Sequence, residues 1–245
     1  MRRASVTLLV ALLGVTTALA EKAENQPDDA ANQIVRRMVE RNEIRAQHLQ
    51  YCFSRRHYHV EYHGFGRSMD ASMDVEATYN AASGKTFRVV QQSGSHVLLD
   101  HVLKRLLDTE RDDSHSHDAA LTPQNYRFRL AGNTLEDGRP LYVLEVDPRV
   151  KKKLLYRGKI WVDAQDYAVV RVEAQPAENP SFWIKSTEIH QFYAKTGEFW
   201  LPEQNQSQTK VRLGGTATLT IDYGNYQFQP PGSQSSSLSA VASTQ

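Results

Sequence analysis

SMDVEATYN, residues 72–80, alternates without error: Ser72, Asp74, Glu76, Thr78 and Asn80 face one way, Met73, Val75 and Ala77 the other. Ala71 and Tyr79 extend the apolar row. A period of two marks a strand with one wet face and one dry face. The fold depends on how often the pattern recurs and on what covers the dry side.

The pattern recurs along most of the chain. Within 51–63, Tyr58, Val60 and Tyr62 oppose His57, His59 and Glu61, until Gly64 and Gly66 break the run. After the turn at Ser83-Gly84, Phe87 and Val89 share a face. Tyr126, Phe128 and Leu130 alternate with Arg127 and Arg129, and Tyr142, Leu144 and Val146 follow the turn at 133–140. GKIWVD (158–163) and YAVVRVEA (167–174) flank Ala164-Gln165-Asp166, a hairpin signal. Further strands are expected over 181–193, 198–201, 207–213 and 216–223, with Pro202 at an edge or a bulge. About ten consecutive strands with one-sided alternation call for a mainly β fold of the α+β class. The expected form is a large curved antiparallel sheet, an open half-barrel with helices over its concave face.

Two stretches read as those helices. Ile34, Val35, Met38 and Val39 follow Asp28 and Asp29 at helical spacing, predicting a helix to about residue 48. In SHVLLDHVLKRLLDTE, 95–110, Leu99, Val102, Leu103 and Leu106 form a stripe, predicting a helix over 95–107. That stripe serves either as a fixed plug or as a movable lid. DTERDDSHSHDAA, 108–120, reads as a charged, mobile insert.

The first twenty residues, MRRASVTLLVALLGVTTALA, have the order of a secretory signal peptide cleaved after Ala20. The expected organisation is a leader at 1–20, one domain at 21–228 and a disordered Ser/Gln-rich tail at 229–245. The chain carries 29 basic and 28 acidic residues, a balance unlike that of a dedicated nucleic-acid binder. Its single cysteine, Cys52, allows no internal disulfide and reads as a buried thiol.

No hydrolase, zincin or phosphate-loop motif is present, so no catalytic residue, metal ligand or cofactor is assigned. His57, His59, Glu61 and His63 share a strand face, but it is the one opposite Tyr58, Val60 and Tyr62 and therefore the outer one. His115 and His117 form a second, local pair. Arg149, Lys151, Lys152, Lys153, Arg157 and Lys159, with no acid between 149 and 162, read either as a solvated hairpin end or as a contact for anionic headgroups.

The order of elements, the hairpin GKIWVDAQDYAVVRVEA (158–174) and the following FWIKSTEIHQFYAKTGEFWLPEQ (182–204) resemble the LolA-like periplasmic proteins, the outer-membrane lipoprotein-sorting superfamily. The resemblance covers roughly residues 30–228. It implies a half-barrel whose hydrophobic cleft holds acyl chains, a lipid or lipoprotein carrier without catalysis, and a periplasmic location. It also implies lipid or acylated lipoprotein cargo, membrane-bound donor and acceptor proteins and peripheral membrane contact; the chain is read as a monomer. The alternative on the same fold is a non-catalytic sensor or protein-interaction scaffold. The carriers' functional arginine is not carried over to this chain, although Arg55 and Arg56 lie near a plausible position for it. The apolar cleft is assigned to Tyr58, Val60, Tyr62, Met73, Val75, Phe87 and Val89, and the lid to Leu99, Val102, Leu103 and Leu106.

Overall fold

The stretch 72–80 lies in strand β2 (Arg67–Asn80) of a computed structural model that describes residues 26–111, 119–152, 154–179, 181–212 and 214–229. Its Ala71, Met73, Val75 and Ala77 are buried, as the alternation requires. The leader, His115 and His117, and the tail beyond Gln229 fall outside the described residues.

Ten strands form one antiparallel sheet. They are β1 (Tyr51–Gly64), β2, β3 (Gly84–Gly94), β4 (Tyr126–Glu136), β5 (Arg139–Pro148), β6 (Tyr156–Asp163), β7 (Val169–Pro176), β8 (Ile184–Thr196), β9 (Phe199–Val211) and β10 (Thr216–Gln227). The spatial order is β3-β2-β1-β10-β9-β8-β7-β6-β5-β4, so β3 and β4 are edges and the sheet does not close. The chain therefore builds a three-strand flank, leaves it, builds seven more strands and returns its last one beside its first. β9 runs unbroken through Pro202, which pairs with Tyr193 at a register shift, the bulge that a proline without an N–H requires.

Two helices lie on one face. Helix α1 (Gln26–His48) begins two residues before the expected start and buries Ala31, Ile34, Val35 and Met38 against Tyr126, Leu144, Ile160 and Val172. Helix α2 runs through three contiguous segments: His96–Leu98, a π turn at Leu99–Leu103, and Lys104–Arg111. It covers Tyr58, Val60, Met73, Val75 and Ile221. The five-residue step from Leu98 to Leu103 exceeds an α turn, and the π turn takes up the additional residue so that Leu98, Leu99, Leu103 and Leu107 are all buried.

The pairing registers place Tyr58, Ile221, Asn205, Gln191, Val172, Ile160 and Leu144 in one row across this face. Its flanks are apolar and each is capped by a helix. Its middle, on β8 and β9, is polar and lies between the helices. That pattern sets where the open groove sits.

The hairpin at 158–174 is closed by the carboxylate of Asp163. Its Oδ1 accepts hydrogen bonds from the amides of Gln165 (3.0 Å) and Asp166 (2.7 Å), and Arg139 Nη2 lies 2.7 Å from Oδ2. β6 and β7 approach so closely that a Cβ at Gly158 would lie 2.1 Å from the Glu173 carbonyl oxygen. Gly158→Ala should therefore lower stability by about 3 kcal/mol, read from the urea midpoint. An unchanged midpoint would show that the two strands can part without loss.

Candidate functional site

The uncovered part of the inner face is a groove between α1 and α2. One lobe, of about 250 Å³, is lined by Leu49, Cys52, Ser54, Arg56, Ala77, Phe87, Leu201, Pro202, Tyr223 and Tyr226. A second, of about 510 Å³, is bounded by Arg45, Leu121, Tyr156, Val169, Gln191, Tyr193, Phe199 and Trp200 and shares Leu49 and Leu201 with the first. The lobes are apolar on the helix-flanked sides and carry phenol and amide groups on the floor. An amphiphilic ligand fits such a lining better than a purely apolar or purely polar one.

Arg56 stands where α2 meets the groove. It points inward from β1, and its Nη1 lies 2.5 Å from Glu110 Oε2 in the last turn of α2. Its guanidinium carbon is 5.3 Å from the Phe87 ring centroid and 5.2 Å from that of Tyr223. The pair is mostly buried, with side-chain exposures of 17% and 27%. Burial works against the charge of Arg56, and the Glu110 carboxylate together with the Tyr58 and Tyr223 phenols more than offsets it, so the arginine pKa rises. Removing one member of such a pair leaves the other charge buried without its partner. The ion pair thus latches the end of α2 to the sheet.

Tyrosines dominate the floor. Burial pushes Tyr58 up to about 12, with the Glu110 carboxylate adding to it, and pushes Tyr193 up to about 12 as well. Tyr156, Tyr223 and Tyr226 are raised too, burial being the first cause in each. The Tyr226 hydroxyl donates to the Pro202 carbonyl oxygen at 2.5 Å. Burial also raises the Cys52 thiol, against the pull of Arg56, which is the environment of an unactivated thiol.

The residues assigned from sequence divide into two sets. Tyr58, Val60, Met73 and Val75 lie fully buried beneath α2, packed with Leu99 and Leu103. Tyr62, Phe87, Val102 and Leu106 sit partly buried around that cluster, and of the seven cleft residues only Phe87 lines the open groove. Val89 is on the edge strand β3 and exposed. Sequence reading missed Ser54, Tyr193, Leu201 and Tyr226 as groove residues, and it ended α2 before Glu110. The strand expected over 216–223 does carry one of the groove tyrosines, Tyr223.

The histidine face is the outer one. His57 Nδ1 lies 2.7 Å from Asp74, His59 Nδ1 2.8 Å from Ser72 and His63 Nδ1 2.9 Å from Ser68, all as cross-strand pairs. Among the described residues no cluster of three or more His, Cys, Asp or Glu side chains is placed to hold a metal ion. Among them no helix is long and apolar enough to cross a membrane.

Residues 119–226 match DUF5686, a family of unknown function. No curated protein sequence matches the chain. Among solved structures it is similar to a putative outer-membrane lipoprotein-sorting protein domain from Vibrio parahaemolyticus, at 13% identity and a TM-score of 0.41, over 82% of this chain and 94% of that one. It is similar to a DUF1329 family protein from Desulfovibrio piger at 15% identity and a TM-score of 0.40, over 83% and 93%. A LolA superfamily protein from Nitrosomonas europaea aligns at 11% identity and a TM-score of 0.34, over 82% and 94%.

Proposed function

We propose that the chain binds a long acyl chain, on a free lipid or a lipoprotein, in the groove between α1 and α2, and carries it without covalent chemistry or a resident cofactor. The observation that supports this most is the groove itself: an amphiphilic cleft beside a helix whose fully buried residues are all leucine and whose end is held by one ion pair.

Magnitudes favour a long chain. Leu98, Leu99, Leu103 and Leu107 together contribute about 6–12 kcal/mol through burial. An acyl chain of about 15 methylenes, at about 0.8 kcal/mol each, contributes about 12 kcal/mol. Such a chain can replace α2 on the sheet, whereas a short one cannot. In this reading residues 21–228 act as one monomeric domain in the periplasm, receiving cargo from one membrane protein and passing it to another.

Cys52 supplies the test, because it is the only cysteine and lines the groove. Native mass spectrometry of the exported protein should show a discrete lipid mass, and that lipid should slow alkylation of Cys52. Glu110→Gln, which frees the end of α2, should raise lipid uptake several-fold. A clean apo mass, no uptake of offered lipids and an unprotected Cys52 would reject the carrier reading.

One observation favours a second reading, a protein-interaction scaffold. The edge strand β3 is exposed along most of its length and presents Val89 and Val90 to solvent, which suits strand addition by a partner chain. Partner capture that survives a blocked groove would support it.

A further inference from the structure

We propose that one end of the sheet docks on a bilayer surface carrying anionic headgroups. The registers place four short connections at that end, besides the longer β3–β4 segment that carries α2. Gly64 pairs with Arg67, His63 with Thr216, Ile184 with Val211, Tyr156 with Pro176, and Tyr126 with Pro148. The connections β1–β2, β5–β6, β7–β8 and β9–β10 therefore point the same way, and the first groove lobe lies toward the opposite end, with Leu49, Tyr79 and Pro202.

Phe65, Phe182 and Trp183 are the only strongly exposed aromatic residues among the described ones, at 67%, 74% and 54%, and all three are here. They gather around the β9–β10 turn. The Phe65 ring lies against Gly214, whose added Cβ would be 3.6 Å from it. The Arg212 guanidinium sits 5.0 Å from the Phe182 ring centroid, and its amide donates to the Trp183 carbonyl oxygen at 2.8 Å. Phe182 and Trp183 meet edge to face at 5.5 Å. The rings are thus held in place while staying in solvent. Phe65 also adopts φ 51°, a conformation costly for a bulky side chain and not compensated by burial. Val150 and Leu154, on the β5–β6 connection, add exposed apolar surface.

Charge argues for the partner. Arg67, Arg149, Lys151, Lys185 and Arg212 are exposed at this end; the described residues of the four short connections contain one carboxylate, Glu178, and Asp147 at the end of β5 is matched by Arg127 and Arg157. Aromatic tips within a basic collar match the interface of a bilayer, where rings sit at headgroup level and cations meet anionic lipid. Separate turns present the rings to a plane. The inference stands apart from the groove: vesicle binding is read without cargo, so either proposal can fail alone.

The test uses the whole exported chain and vesicles of phosphatidylcholine, alone or mixed with phosphatidylglycerol. Cosedimentation should occur with the mixed vesicles, fall as salt rises, and be absent with the neutral ones. Trp183 emission should shift to the blue on binding, and a Trp183→Phe variant should lose that shift. Phe182→Ser with Trp183→Ser should weaken binding at least tenfold while the circular dichroism spectrum stays unchanged. Arg149→Gln and Lys151→Gln should each weaken it about fivefold. No binding to mixed vesicles, equal binding to neutral ones, or full binding by the Phe182/Trp183 variant would overturn the proposal. Capture of a soluble acidic polypeptide in place of vesicles would overturn it as well.

Discussion

Leu103→Glu should strip α2 from the sheet while leaving the ten strands paired. Leu103 is fully buried at the end of the π turn, over Tyr58, Val60 and Met73. The four buried leucines contribute about 6–12 kcal/mol gross, and the entropy lost in ordering the helix backbone cancels most of it, so only a small margin holds α2 down. Losing the Leu103 packing costs about 2–5 kcal/mol, and burying an unpaired carboxylate costs several more. The glutamate side of this comparison is larger, so the helix lifts and the carboxylate reaches water. Trypsin should then cut after Lys104 and Arg105 at least tenfold faster than in the parent, and a hydrophobic dye should bind the uncovered sheet. Leu103→Met keeps the volume and should behave as the parent. Parent-like cleavage of Leu103→Glu would mean that α2 is held by something other than its leucines.

How much of this was legible in advance can be argued from the same residues. Tyr58, Val60, Met73 and Val75 alternate so cleanly because a helix covers them, and the alternation located β1, β2 and the cover together. The open groove left a weaker trace. Its floor crosses β8 and β9, where Gln191 and Asn205 occupy the inward row and break the apolar alternation. A surface that must stay solvated until it is occupied cannot be as greasy as a core, so the strands that build it look polar. Helix α2 was ended too early for a related reason. Its last turn, at 108–111, is charged, and Glu110 there faces Arg56 across about fifty residues of chain. No local pattern encodes such a pairing. The hairpin at 158–174 was readable because Asp163 and the turn it caps are adjacent in sequence.

The buried tyrosines should make the fold fail steeply in alkali. An unfolded tyrosine ionises near 10, whereas burial holds Tyr58 and Tyr193 at about 12 and raises Tyr156, Tyr223 and Tyr226. Below about pH 10 both states keep these protons, and the stabilisation is fully present. Between about pH 10 and 12 the unfolded chain releases protons that the folded chain retains, so stability falls as pH rises. Each tyrosine removes about 1.4 kcal/mol per pH unit in that window. Five together remove up to about 14 kcal/mol over about two units, comparable with a typical total stability of about 5–15 kcal/mol. Unfolding should therefore be cooperative between about pH 10 and 12, with tyrosinate absorbance rising in step with the loss of circular dichroism. Smooth titration of all eleven tyrosines near pH 10 in a protein that stays folded would show that these phenols are open to water. The same curve reports on cargo. A lipid that binds only the folded groove at about a hundred times its Kd adds about 2.7 kcal/mol, which should move the alkaline midpoint upward by a few tenths of a pH unit.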